Sequence, residues 1–411
     1  MKSKIIIIIL LLAAHWSCGQ DYPDYYLMKA AENNPGLKAE FNQYLAAMEQ
    51  IPQAKAMPDP RITFDLFLQP IETRVGPQRA KLAVSQAFPW FGTLKAQGDM
   101  SAQLADARLK SFEDKKLQLF REVKTSYTQM YFIFKSKTLI KENLLLLQSF
   151  KELARVNFES GRTGFVNVLR VEMEEQELQQ QLAFLDDSQQ VEFENFKNLL
   201  NVPLDKLPDF PDTLREEKLN GISQSFYDSI ISNNRQLQHL RLQTAARDKA
   251  VEVAGLIGKP SFTVGMSFIN IGERSDVDIP DNGQDAFLLP QLGLNIPLHR
   301  KKYQAMKRQA VLQKESLEHQ MEEESNRLAT ALKNFIAEHL DASRRLTLYQ
   351  RLHNLAKQSL LLLQTEFSTG KTGFEEVLRM ERKLLTYQLE IVKARVDVNK
   401  AVYNIDYLMG R

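Results

Sequence analysis

One short segment occurs twice in this chain, and each copy lies between two long runs of helix-forming sequence. The first reads Phe158, Glu159, Ser160, Gly161, Arg162, Thr163, Gly164, Phe165, then Val168, Leu169, Arg170 and Glu172. The second reads Phe367, Ser368, Thr369, Gly370, Lys371, Thr372, Gly373, Phe374, then Val377, Leu378, Arg379 and Glu381. Matches at so many fixed offsets mark a duplicated unit. Glycine accepts positive φ and Ser or Thr caps a following helix, so two glycines three residues apart read as the tight tip of a helical hairpin. The triplet Gly370, Lys371, Thr372 also invites a phosphate-loop reading. That loop needs an earlier glycine where Thr365 stands and a strand where Leu360 to Phe367 is helical, and the first copy carries Arg162 in place of the lysine.

Long helices dominate the composition. Gly and Pro are sparse and clustered, and Leu, Gln, Glu, Lys and Ala fill the spaces between them. The net charge is +2, so no basic field points to nucleic acid and no acidic run to a disordered tail. At the start, Lys2 and Lys4 precede an apolar run from Ile5 to Ala14 and then Ser17, Cys18, Gly19 and Gln20. A basic head and a short apolar core make residues 1–20 a secretory signal, too short to span a bilayer. Cys18 is the sole cysteine, which excludes an intrachain disulfide. Two readings of it stay open: acylation at Cys18, or cleavage near Gln20 that discards it. No other run is apolar enough for a transmembrane helix, so insertion would have to use strands.

Taken in order, residues 21–201 form a first structural repeat. A helical pattern runs from about Asp24 to Met57 with a break at Asn33 to Gly36, and Met57, Pro58, Asp59, Pro60 stop it. Two strands follow, about 61–70 and 80–89, with a polar loop from Ile71 to Arg79 between them. In each, apolar residues (Ile62, Phe64, Leu66, Leu68; Leu82, Val84, Phe88) alternate with mostly polar or small ones (Thr63, Asp65; Lys81, Ser85). A helix on the order of 100 Å long then runs from about Thr93 to Phe158. After the tip, a shorter helix returns to Asn201, and the Asp24 to Met57 helix is expected to extend it end to end. Residues 202–222, with Pro203, Pro208 and Pro211, form a linker. Residues 223–411 repeat the programme, with Asn233, Asn234 and Leu237 echoing Asn33, Asn34 and Leu37, and strands at about 261–271 and 286–297. Catalysis finds no foothold: there is no nucleophile elbow, no metal-ligand cluster and no cofactor loop, so neither an enzyme nor a cofactor is expected. His239, His299, His319, His339 and His353 show no pairing at i and i+4 such as a helical metal site would use.

Strands of about nine to eleven residues match a tilted bilayer crossing. Four strands cannot close a barrel, and open edges in lipid are costly. Three copies would supply twelve, an even number suited to a closed barrel. The order of helix, strand pair, long helix, glycine tip and returning helix, twice over, resembles the TolC family of outer-membrane efflux ducts. The resemblance covers the whole mature chain. It rests on Phe158, Gly161, Val168, Leu169 and Phe367, Gly370, Val377, Leu378, and on Val84, Gln86, Phe88, Pro89 and Gly92.

The resemblance implies an α+β membrane protein, a homotrimer whose strands form a twelve-stranded barrel in outer-membrane lipid of a Gram-negative bacterium and whose hairpins form a periplasmic tunnel. It implies docking of a periplasmic adaptor, or membrane fusion protein, and an energised inner-membrane pump. The tips Ser160, Gly161, Arg162, Thr163, Gly164 and Thr369, Gly370, Lys371, Thr372, Gly373 would meet the adaptor. Family members ring the closed entrance with carboxylates. Glu376 falls on one such position and Arg379 departs from another, so a mixed-charge constriction is expected in which Glu375 or Glu376 pairs with Arg379. Met57 to Pro60 and the Gln86 to Gly92 set are similar to the subgroup serving metal-exporting resistance-nodulation-division pumps. A duct for protein secretion and a secreted coiled-coil scaffold are the alternatives.

Overall fold

The computed structural model describes residues 22–219, 223–276 and 278–411. The expected signal with Cys18 lies outside them, as does the end of the linker at 220–222. The first half runs α1 (Tyr22–Asn33), α2 (Pro35–Lys55), β1 (Arg61–Thr73), β2 (Gly76–Phe88), α3 (Thr93–Glu159) and α4 (Val166–Leu200). The second half repeats that order as α5 (Ser223–Asn233), α6 (Arg235–Ile257), β3 (Ser261–Ile271), β4 (Ala286–Asn295), α7 (Arg300–Ser368) and α8 (Phe374–Leu408). Helices α3 and α7 reach 67 and 69 residues because one glycine and no proline interrupts the former and neither residue type interrupts the latter. None of the described helices is long and apolar enough to cross a membrane.

The chain forms two compact units that cut across the sequence repeats. One holds Glu40–Phe112 and Arg235–Glu324, and the other residues 22–39, Glu113–Asn234 and Ser325–Arg411.

In the first of these, the strands make one antiparallel sheet in the order β1-β2-β3-β4. Its register explains the alternation in the sequence. Ile62 lies opposite Val84, Val84 opposite Met266 and Met266 opposite Pro290, with Phe64, Leu82 and Phe268 in the next row and Phe88, Phe262 and Leu294 in another. These rows share one face, because side chains on alternate positions of paired strands point the same way. Most of that face is exposed, with Ile62 at 70%, Phe64 at 66% and Leu292 at 86%. The opposite face carries Arg61, Ser85, Gly265 and Gln291 in one row and Thr63, Ala83 and Ser267 in another. Both outer strands, β1 and β4, have an edge with no strand beside it among the described residues.

Three strand details depart from the sequence reading. The expected loop from Ile71 to Arg79 is strand on both sides of a tight turn at Arg74 and Val75, with Glu72 opposite Pro77 and Thr73 opposite Gly76. Gly76 takes φ 128, and the Thr73 hydroxyl donates to its carbonyl at 2.7 Å. Polar residues were misleading there because ladder pairing needs only backbone groups. A register shift between Leu66 and Ile71 accommodates Pro70, which has no N–H to offer the ladder. Strand β4 ends at Asn295 rather than 297, and its register with β3 shifts between Ser267 and Ile269.

In the second unit, Ile133, Ile140, Leu147 and Ala154 of α3 pack with Val168, Val171, Leu178 and Leu185 of α4 and with Phe374, Leu378 and Leu385 of α8. Burying each large side chain of this set contributes about 1.5–3 kcal/mol. The echoing asparagines prove to be joints. Asn34 donates from Nδ2 to the Leu199 carbonyl at 3.0 Å, and Asn234 makes the same bond to the Leu408 carbonyl at 3.0 Å. In the first joint Asn201 answers by donating to the Asn33 carbonyl at 3.1 Å. Each returning helix thus ends on the break between two short helices, and side-chain amides satisfy carbonyls that a helix end leaves orphaned. The linker lies across this unit. Phe210 packs among Tyr127, Tyr131 and Phe134, and Asn399 both accepts from the Glu217 N–H and donates to the Arg215 carbonyl, at 2.8 Å each.

Candidate functional site: the two hairpin tips

Both tips are closed by the same hydrogen-bond pattern. At the first, Gly161 N–H donates to the Phe158 carbonyl and Arg162 N–H to the Asn157 carbonyl, each at 2.9 Å. At the second, Gly370 donates to Phe367 at 3.0 Å and Lys371 to Glu366 at 2.9 Å. These are the paired bonds of a Schellman cap, which requires left-handed backbone at the residue after the cap. Gly161 has φ 70 and Gly370 φ 74, so backbone conformation alone accounts for glycine at both places.

Gly164 and Gly373 are different. Gly373 has ordinary extended backbone, and neither residue is among those with positive φ. A Cβ at Gly164 would touch nothing nearer than Val166 Cγ1 at 3.9 Å, and at Gly373 nothing within 4 Å. Neither strain nor crowding within the chain asks for glycine at these two positions. Ser160 and Thr369 turn their hydroxyls back onto the Asn157 and Glu366 carbonyls at 3.1 and 3.0 Å. Thr163 and Thr372 are half-buried, while Arg162 and Lys371 are exposed and, among the described residues, have no ion-pair partner.

The aromatic pairs at the tips are not equivalent. Phe158 and Phe165 meet at 5.2 Å between ring centroids but both stay exposed. Phe367 meets Phe374 at 5.8 Å, and Phe374 is buried edge-on against Phe150 at 5.9 Å. The second tip is therefore plugged into the helical core.

Of the expected constriction residues, Glu376 pairs with Arg379 on the same helix. Glu375 does not pair with Arg379. Its carboxylate accepts from Arg170 of α4 at 2.6 Å, because the start of α8 lies beside the start of α4. Arg382 pairs with the buried Glu174, which ties the same two helices again further from the tips. Lys151 bridges Glu172 and Glu175 at 3.1 and 3.2 Å. Glu381 is buried, and loss of hydration pushes its carboxyl above the ordinary glutamate range. Arg170, Glu174 and Arg382 escaped the sequence reading. Arg170 and Glu174 lie on one helix and Arg382 on another, and only their shared offset from the two tips hinted at a pairing.

A family model described as outer membrane efflux protein matches residues 26–202 and 226–411. The chain belongs to the outer membrane efflux protein family. That is a transport family rather than a catalytic one. Among solved structures, this efflux protein is similar in fold to CusC, with a TM-score of 0.78 at 15% identity over 96% of this chain and 95% of that one. It is also similar to VceC from Vibrio cholerae, with a TM-score of 0.74 at 14% identity over 94% and 96%. The MtrE channel of Neisseria gonorrhoeae, described in its open state, gives 0.74 at 14% identity over 95% and 89%. No curated protein matches the chain in sequence.

Proposed function

We propose that this efflux protein works as a homotrimeric exit duct of a tripartite pump. The observation that carries the reading is the sheet: one face is greasy and exposed, the other polar, and both edges are open among the described residues. Unpaired edges in lipid cost several kcal/mol per polar group, so other copies complete the wall. Three copies bring twelve strands, and their hairpins line a periplasmic tunnel.

The tips are the docking ends for a periplasmic adaptor, which couples the duct to an energised inner-membrane pump. Gly164 and Gly373 support this, since nothing inside the chain requires glycine there and a backbone without Cβ lets another molecule approach closely. Glu375, Glu376 and Arg379 stand at the tunnel constriction, where the Arg170 and Arg382 pairs hold the two hairpins together until the adaptor docks. The pump is of the resistance-nodulation-division class, and its cargo is metal ions or small toxic compounds. Gln86 donates to the Pro58 carbonyl at 2.6 Å, joining the two sequence segments that carry the subgroup similarity.

A photoreactive residue at Gly164 or Gly373, in cells carrying the full system, tests the docking. Capture of a periplasmic adaptor at both positions is the expected result. Heat-modifiable trimers in outer-membrane extracts with no adaptor captured at either tip would overturn the docking. A water-soluble single chain would overturn the duct.

A further inference from the structure

Helix α8 shows no exposed large apolar residue among the described ones, whereas its neighbours do. On α4, Val166, Leu169, Met173, Phe184 and Val191 are exposed, and on the part of α7 in the same unit so are Leu340, Leu348, Leu355, Leu361 and Leu362. At about 100° per residue, the α4 set falls within about 60° of arc and Leu340, Leu348, Leu355 and Leu362 of α7 within about 80°, with Leu361 lying off that arc. Leu361 apart, each set is a single stripe rather than scattered side chains.

The two stripes also share their heights. The left-handed glycines Gly161 and Gly370 give a common origin, since both tips have the same cap geometry. Counted from them, Leu169 and Leu362 both lie eight residues away and Val191 and Leu340 both lie thirty; Phe184 lies twenty-three and Leu348 twenty-two. Met173 and Leu355 differ by about 5 Å at 1.5 Å per residue. At one height a charged residue stands in each stripe, and α7 carries a second, the exposed Arg351, which is level with Gln180 of α4. Asp187 is twenty-six residues beyond Gly161, and Arg344 is twenty-six before Gly370. Asp187 is exposed and, among the described residues, has no ion-pair partner. Arg344 is 77% exposed, with only Asp341 at 3.9 Å. The Arg382 to Glu174 pair joins positions twelve and thirteen residues past their glycines, so the two tips of one chain are level.

We propose that the α7 stripe of one copy packs on the α4 stripe of the next, with Leu348 on Phe184, Leu340 on Val191, and Arg344 paired with Asp187. The inference rests on the reading that copies assemble around one axis. Identical copies in one membrane share one orientation, and a rotation axis along the helices then keeps every tip at one height. Unlike stripes meet in a head-to-tail ring, which closes when the rotation does. Helices α7 and α4 run oppositely along the hairpins, so equal counts from the tips become contacts. The common height of the tips fixes the register, and the opposite charges of Asp187 and Arg344 favour it; a slip that brought Arg351 to Asp187 instead would leave the tips uneven.

The pair Phe184→Cys with Leu348→Cys, treated with a short bismaleimide, tests this in outer-membrane vesicles. Cys18 is the only native cysteine, and the single variants control for it. The expected product is a ladder of two- and three-chain species on a denaturing gel. Phe184→Cys with Leu362→Cys, about 20 Å apart in height, is expected to give none. Asp187→Arg should lower the yield of heat-modifiable trimer several-fold, and adding Arg344→Asp should restore it. Trimers that form without the matched ladder, a product of single-chain mass, or equal linking by the mismatched pair would overturn the register and leave the duct reading standing. Absence of any oligomer in the unmodified protein would remove both.

Discussion

Gly161 and Gly164 show how differently two glycines in one turn are constrained. The first sits at φ 70, where an L side chain costs roughly 1–2 kcal/mol, and the second has ordinary backbone with open space around it. Gly161→Ala or Gly370→Ala is therefore expected to lower stability by that amount. Gly164→Ala or Gly373→Ala should stay within about 0.5 kcal/mol, as surface substitutions do. Thermal melting of purified trimers checks both, and equal losses at all four positions would contradict the assignment. The sequence showed the glycines and their spacing but could not separate the two roles, since φ is a property of the folded turn. The same limit applied to the charges. Glu376 reaches Arg379 across one helical turn and was readable, whereas Glu375 reaches Arg170 on another helix and was not.

Helix length was the most legible property at the scale of elements. Where Gly and Pro are absent the helix continues, and where Asn34 or Asn234 interrupts the pattern it breaks. The joint made at each break was not legible. Asn34→Ala or Asn234→Ala leaves a helix-end carbonyl without its donor, at an expected cost of about 1–3 kcal/mol. The effect should be larger at Asn234, whose bond is fully buried, than at the half-buried Asn34. Because the two joints share no residue, the double variant should show the sum of the single effects. Hydrogen exchange at the ends of α4 and α8 would report this, and unchanged protection would show that water replaces the amide without loss. Strand limits were less readable, because the turn at Arg74 and Val75 depends on ladder pairing that composition does not record.

For the whole molecule, the two faces of the sheet predict opposite responses to the same substitution. Val264, on the greasy face between Gln86 and Leu292, should not tolerate lysine, with a cost of about 2–4 kcal/mol near the bilayer midplane. Its neighbour Thr263 is on the polar face, and Thr263→Lys should assemble normally. The yield of heat-modifiable trimer in outer-membrane extracts distinguishes them. Equal yields would mean that Val264 does not face lipid.

The amino-acid order by itself determined the duplication, the long helices, the two-faced strands and the tips, because each depends on periodicity or backbone preference over a few neighbouring residues. Only the tertiary structure decided the sheet order, the asparagine joints and the cross-helix pairs of Arg170 and Arg382. Those join residues far apart in the chain, and their partners are set by which helices and strands come to lie side by side. The same reason explains the matched stripes: their residues were visible as leucines and valines on helices, but packing selected which of them stay uncovered.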